Sequence, residues 1–503
     1  MTARNPPVDP FHFTSKLGSR PRGRKVATRK NHEGDVVVHS DASQIFSTTN
    51  SQEKIVVGGG KVSQGDVVNS LQATTTYPEP RLTWTESVPE TKMLQHSPGW
   101  SIFDRLYLFE GTIYIVTSDP SSIPERKFIT SSGFEIQNDR ESILARLPTD
   151  KDIQIVTPED AQRIFNTNVA SRVSGVSFLN TDPKQFITHY YHFSAELLFG
   201  LWRTYSSLDP FITPDGQTTL PPPRRLIFRH VKSNNWRDYA AMNEWVLRGA
   251  FPSIGMEFSE DWHDRATMGV PFVLDRVVLG DRAASYESDA FKGTFRSASS
   301  AFELRGSPNW WIPIRKSVLE FSGLATNLIM GPSSGTRAEN EKYVITYISR
   351  QDWGRRMLRQ RDHEKLVEEL YKLRDRYGYE VNVVSMDKLS RSEQLQLAGR
   401  TTIMMGVHGN GLTSLLWMRP SPRSTVIEFF YPKGFAFDYE YTTRALGMTH
   451  YGVWNDKVFT QPEVPHQQHY PEGFQGNDIP LDGVAVAKLV HKRLTLGLEE
   501  SEN

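Results

Sequence analysis

Cysteine is absent from the 503 residues, which excludes disulfide staples and thiolate metal sites and removes any reading of the redox compartment. No asparagine stands in an N-x-[ST] triplet, so the chain offers no acceptor for an N-linked glycan. No run approaches the roughly 18 consecutive apolar residues of a membrane span. The beginning of the chain, basic at "RPRGRK" (20–25), lacks the apolar centre of a signal peptide. Net charge is missing as well: 58 Lys and Arg balance 58 Asp and Glu, so no bulk attraction to nucleic acid follows.

What remains suits a globular protein. Apolar residues make up 38% of the chain, enough for sizeable cores, and the length predicts two folded domains with tails. Residues 1–95, rich in Ser, Thr, Pro, Gly and charge, read as a disordered basic and polar arm. A first domain is expected over 96–330, a linker over 331–340 and a second domain over 341–495. In the first, "PGWSIFDRLYLFEGTIYIVT" (98–117) predicts a β-hairpin through Leu106, Leu108, Ile113 and Ile115. "HYYHFSAELLFGLWRTYSSL" (189–208) predicts an amphipathic helix with Phe193, Leu197 and Leu201 on one face. A strand near 225, a helix over 240–251 and a strand over 272–281 suggest a wound α/β arrangement, whereas 283–340 resists assignment except for a helix near 314–328.

The second domain is clearer. "KYVITYISR" (342–350), "YEVNVVSM" (379–386), "TTIMM" (401–405) and "STVIEFF" (424–430) read as strands. Helices at 361–378, 390–400 and 437–447 alternate with them. Short connections between such elements specify a parallel, doubly wound sheet. In open α/β sheets ligands gather beyond the carboxyl ends of strands, and three candidates lie there. Arg350 closes the first strand, with Arg355 and Arg356 following. The glycine loop "GVHGNGLTS" (406–414) follows the third strand. Glu428 sits in the fourth, with Lys433 beyond it.

Together these suit a nucleoside diphosphate. A guanidinium fork matches phosphate oxygens, helix-start amides of Asn410, Gly411 and Leu412 hold an anion, and a strand-end carboxylate accepts ribose hydroxyls. Each also has a plainer reading. A strand-end arginine more often makes a surface ion pair, glycines serve tight turns, and Glu428 could cap a helix or pair with Lys433. The loop is neither a phosphate-binding G-x-x-x-x-G-K-[ST] nor the dinucleotide G-x-G-x-x-G. The pattern Asp438-Tyr439-Glu440 lies among aromatics on a helix and reads as structural. Cationic side chains and helix dipoles therefore stand in for a metal. In the first domain, His189, His192 and Glu196 share one helical face. An imidazole there is a candidate general base, although His192 and Glu196 could equally form an ordinary helix-surface pair.

"YYHFSAELLFGLW", "YISRQDWGRR", "GVHGNGLTSLLWM" and "VIEFFYPKGF", in this order and spacing, resemble glycosyltransferase family 61, which includes plant xylosyl- and arabinosyltransferases and animal protein N-acetylglucosaminyltransferases. The likeness runs from about Pro98 to Asp456, and the 98–117 stretch further resembles fungal members. It implies a GT-B-like fold, two wound α/β domains facing a cleft, preceded by the arm. It also implies inverting transfer of a xylose- or N-acetylglucosamine-type sugar from a UDP-sugar to a glycan or glycoprotein acceptor, with no cofactor and no required metal. The alternative is a non-catalytic relative that binds nucleotide or glycan. The resemblance puts Arg350 near the diphosphate, His408, Gly409, Asn410, Gly411 and Leu412 under the phosphates, and Glu428 at the ribose. His192 and Glu196 fall on the acceptor side, His192 as base and Glu196 second or orienting it. Family members work in the Golgi behind a membrane anchor. This chain shows neither anchor nor cysteine, so the secretory-pathway lumen is the expectation by resemblance, a shortened N-terminus or a cytoplasmic protein the alternative.

Overall fold

The computed structural model describes residues 79–331 and 342–496; most of the expected arm and linker lie outside the described residues. Nine strands form the first sheet: β1 (Arg81–Thr83), β2 (Lys92–Ser97), β3 (Trp100–Phe109), β4 (Thr112–Val116), β5 (Ile153–Val156), β6 (Val169–Asn180), β7 (Arg225–Phe228), β8 (Gly255–Glu257) and β9 (Phe272–Gly280). Their order is β5-β4-β3-β9-β6-β7-β8, with β1 on β6 and β2 on β3. The expected hairpin is β3–β4, turning through Glu110 and Gly111, both at positive φ.

Two expectations change here. Order begins before residue 96: β1 pairs with β6, and Trp84 and Val88 are buried. The first sheet is also mixed rather than parallel-wound, because β1, β2, β3 and β4 pair antiparallel within it while β6 runs parallel to β7 and β9.

The second sheet holds β10 (Val344–Ile348), β11 (Glu380–Val384), β12 (Ile403–Val407), β13 (Thr425–Phe429), β14 (Thr449–Trp454) and β15 (Lys457–Phe459), in the order β11-β10-β12-β13-β14-β15. All its pairings are parallel except β14–β15. Every residue of β10, β12 and β13 is buried, as expected of parallel strands covered on both faces. The helices that matter here are α1 (Pro158–Phe165), α2 (π over His192–Leu198, then α over Phe199–Ser206), α3 (Met242–Ala250), α4 (Ile312–Phe321), α5 (Gln360–Tyr377), α6 (Arg391–Arg400), α7 (Asp438–Ala445) and α8 (Gly483–Leu494). A reciprocal cap between Ser390 and Glu393 starts α6, and Gly378 at φ +71° ends α5, each where the local chemistry calls for it.

β10 is followed by a step to one edge (β11), and the chain then returns to the other side of β10 (β12). This reversal opens a crevice between the carboxyl ends of β10 and β12. The described residues form one compact unit. Its largest apolar core runs from Trp100 and Phe178 of the first sheet to Met404 and Val426 of the second and takes in Trp417 between them in sequence.

Candidate functional site

Arg350 and the glycine loop meet at that crevice. A Cβ on Gly409 would stand 2.6 Å from Arg350 Nη1, and one on Gly411 3.0 Å from Ile348, so the bare Gly409 lets the guanidinium lie against the loop and the bare Gly411 lets the loop pack on β10. A 3₁₀ helix, Asn410–Trp417, follows instead of the expected α-helix. Among the described residues the amides of Gly409, Asn410 and Gly411 make no hydrogen bond, whereas the Leu412 amide donates to Gly409 O at 3.0 Å. Leu412 is a core residue with a committed amide, which removes it from the anion-binding set.

No carboxylate pairs with Arg350 among the described residues, and its Nε is buried without a partner. Burial, with Arg356 and Arg355 adding, pushes its pKa down to about 10; it stays charged at neutral pH. Arg356 is the second cation of the crevice. It is buried, donates from Nε to Gln475 Oε1 at 2.7 Å and from Nη1 to His408 O at 3.4 Å, and has no carboxylate partner among the described residues. Arg355, expected here, is exposed and contributes through its field. Lys433 is an exposed turn residue at φ +69° with no hydrogen bond or ion pair to the cluster.

Glu428 does not face a ribose. Its side chain is 0% exposed; Oε1 lies 2.5 Å from His408 Nδ1 and Oε2 2.9 Å from His450 Nε2. Directly opposite Glu428 on the two neighbouring strands stand glycines, Gly406 and Gly452, and the two histidines reach it diagonally. Phe430, Tyr439 and Phe474 surround the His408 ring at 5.4 to 5.8 Å. Burial, with Asp438 and Glu440 adding, holds the Glu428 carboxyl well above its ordinary value. Burial, with Arg356, Arg350 and Arg296 adding, holds the His408 imidazole well below its own.

Across the crevice, α2 brings in a second histidine–carboxylate pair. In π geometry His192 Nδ1 lies 2.6 Å from Glu196 Oε2. Glu196 is fully buried and also binds Arg282, with Arg296 at 4.0 Å. Burial works to raise its pKa, but Arg282, His192 and Arg296 outweigh that and keep the carboxyl ionised, well below its ordinary value. Sequestered in this way, Glu196 cannot touch a substrate; it orients His192. His189 is exposed, 4.9 Å from His192 ring to ring. Surrounding protein, then His192, Arg356 and Arg282, hold it below its ordinary value against the opposing pull of Glu196. Those charges come from both halves of the molecule.

Direct bonds lock the halves together here. Arg296 pairs with Asp438 at 2.5 Å, Tyr191 Oη donates to Asp438 O at 2.8 Å, and Trp417 Nε1 donates to Tyr190 Oη at 2.9 Å. A cavity of about 140 Å³ opens beside Arg350, lined by Tyr190, Tyr239 and Met242 of the first half and by Ser385, Asp387 and Asn410 of the second. Tyr239 (93% exposed) and Trp353 (41%) stand at it. Arg282, Arg296 and His450 were not legible as site residues, because each works through a neighbour distant in sequence; Asp387, at the cavity wall, had no motif to mark it. Arg356 carried a signal, as one of the adjacent arginines after β10.

Residues 190–427 match the family model described as Glycosyltransferase 61. Over 133 residues the chain is 31% identical to the EGF domain-specific O-linked N-acetylglucosamine transferase of Drosophila melanogaster. That alignment covers 26% of this chain and 23% of the relative, so it spans about a quarter of the fly protein.

Proposed function

We propose that the chain, whose residues 190–427 match glycosyltransferase family 61, moves a sugar from a UDP-sugar to a glycan or glycoprotein acceptor, with inversion and without a metal, in a GT-B arrangement whose cleft is the crevice described above. One observation carries this reading: Arg350 and Arg356, two guanidiniums without carboxylate partners among the described residues, meet the open amides of Gly409, Asn410 and Gly411 at the topological switch point. Such a site is short of an anion, and its positive charge can do what a metal does for a departing diphosphate. The nucleoside goes to the adjoining cavity, where Asp387 at the end of β11 replaces Glu428 as the ribose carboxylate. An acidic residue after the second strand serves the same purpose in dinucleotide sites.

His192 is the base. With Nδ1–H given to the ionised Glu196, Nε2 is a bare acceptor. An acceptor hydroxyl attacks the anomeric carbon while its proton passes to Nε2. The bond from that carbon to the diphosphate oxygen breaks on the opposite face, and its electron pair leaves with UDP. Arg350, Arg356 and the loop amides stabilise that charge. The fly relative's name makes N-acetylglucosamine the first sugar to test, with xylose second. No helix among the described residues is long and apolar enough to cross a membrane, and we assign the activity to the secretory-pathway lumen.

A thermal-shift titration with UDP, GDP, UDP-xylose and UDP-N-acetylglucosamine in EDTA tests the proposal, because a ligand selective for the folded state raises the melting temperature. A shift with UDP species that survives EDTA is expected. No shift with any nucleotide would favour a non-catalytic relative, and a shift that EDTA abolishes would overturn metal independence.

A further inference from the structure

The molecule contains two histidine–glutamate pairs of nearly equal geometry, His192–Glu196 at 2.6 Å and His408–Glu428 at 2.5 Å, in opposite electrostatic settings. Glu196 is held by two arginines. Among the described residues no lysine or arginine pairs with Glu428. It is fully buried between strands, its second oxygen belongs to His450, and burial, with Asp438 and Glu440 adding, outweighs the opposing pull of Arg356 and Arg296 and disfavours its ionisation. Arg350, Arg356, Arg296 and His189 face His408 and disfavour an imidazolium there; Arg444 does the same for His450.

We infer that Glu428 and His450 are positioning residues that fix His408 as a hydrogen-bond donor: Glu428, un-ionised, donates from Oε1 to His408 Nδ1 and accepts at Oε2 from His450 Nε2–H, so that His408 carries its proton on Nε2. This inference rests on the UDP-sugar reading for its purpose. The Nε2–H group, in the field of Arg350 and Arg356, donates to the leaving diphosphate. The two pairs thus divide the chemistry: an ionised glutamate leaves His192 Nε2 as an acceptor for the incoming proton, and a neutral one makes His408 Nε2 a donor to the outgoing anion. Environments that push two like groups apart in this way are how one fold supplies both functions at one pH. If the proton shared by Glu428 and His408 moves to Nδ1 as the diphosphate charge develops, Nε2 keeps its own proton, and the donor survives in either form. His450 Nδ1, buried with no partner among the described residues, fits a neutral ring protonated at Nε2.

Two measurements test the assignment separately from the reading on which it rests. In ligand-free protein labelled with ¹⁵N-histidine, two-bond proton–nitrogen spectra, with H408N identifying the resonance, should show His408 as the neutral Nε2–H tautomer at pH 7. A neutral Nδ1–H tautomer or an imidazolium would overturn the inference whether or not UDP binds. UDP affinity by calorimetry then gives the functional reading. E428A and H408A should each weaken UDP binding about tenfold or more, and the double variant no further. E428Q should recover most of the E428A loss, because a glutamine amide donates to Nδ1 and accepts from His450 as the neutral acid does. H450F should fall between E428A and wild type, with a pH profile displaced from that of the wild type. Loss in E428Q equal to that in E428A, or additivity of E428A and H408A, would overturn the relay. A wild type with the Nε2–H tautomer but no UDP binding would refute the UDP-sugar reading and leave the proton placement standing.

Discussion

In the proposed site, single side chains separate donor binding from catalysis. Removing Arg350 leaves diphosphate charge unmatched; a hydrogen bond to a charged group is worth about 1.5–3 kcal/mol, so R350A should weaken UDP binding by about 10- to 100-fold. R356A should behave similarly. R355A should change affinity less than threefold, because that side chain is exposed; equal losses for the two neighbours would contradict the placement. H192A should leave UDP affinity intact and lower turnover by about 10²–10⁴-fold, the range of a general base, which a kcat-against-KM comparison resolves. Residue type and strand-end position brought Arg350, the loop glycines and His192 forward as candidates, and the structure sets Arg350 against Gly409 of that loop. Glu428 was misplaced for a physical reason: in a strand buried on both faces, position does not reveal whether a carboxylate points to the crevice or into the sheet. Its partners follow from register alone, with His450 on the next strand opposite Val426.

At the scale of elements, the glycine loop and α2 have to hold their shapes. A Cβ at Gly409 would displace the Arg350 guanidinium. G409A should therefore reproduce the R350A loss of UDP affinity with little change in melting temperature, whereas a large thermal destabilisation would mean that the loop serves folding first. Alternating strands and helices of the second sheet were readable because parallel strands covered on both faces are continuous apolar runs and their helices carry caps such as Ser390 and Gly378. The π register of α2 was not readable, since helical periodicity cannot distinguish it; the His192–Glu196 pair, four residues apart, was. β1 was hidden by brevity: three residues, Arg81–Thr83, carry no pattern until β6 supplies the partner.

The whole molecule is held together by groups that respond to acid. His96 and His230 are pushed down to about 4, by burial first and, for His230, by Arg229 as well; His450 falls to about 3, by burial and then Arg444. An unfolded imidazole titrates near about 6.5. Because the folded values lie below that, the unfolded chain binds more protons as pH falls, and the stabilisation present above about pH 6.5 is lost progressively toward pH 4. Glu196 extends the loss below its ordinary glutamate value, since its folded carboxyl is depressed. The melting temperature should be level near pH 7 and decline from pH 6.5 downward; constancy to pH 4.5 would contradict these burials. Between the halves, D438A leaves Arg296 in the interior with Glu196, at 4.0 Å, as its remaining carboxylate and should cost up to about 3–5 kcal/mol, the usual penalty for breaking a buried pair. The central claim divides the labour between those halves, donor diphosphate on the second sheet and base on α2. Calorimetric titration of UDP into wild type, R350A and H192A in EDTA tests it most directly. The account predicts wild-type affinity in H192A and a 10- to 100-fold loss in R350A; equal affinities in all three, or equal losses in both variants, would contradict it.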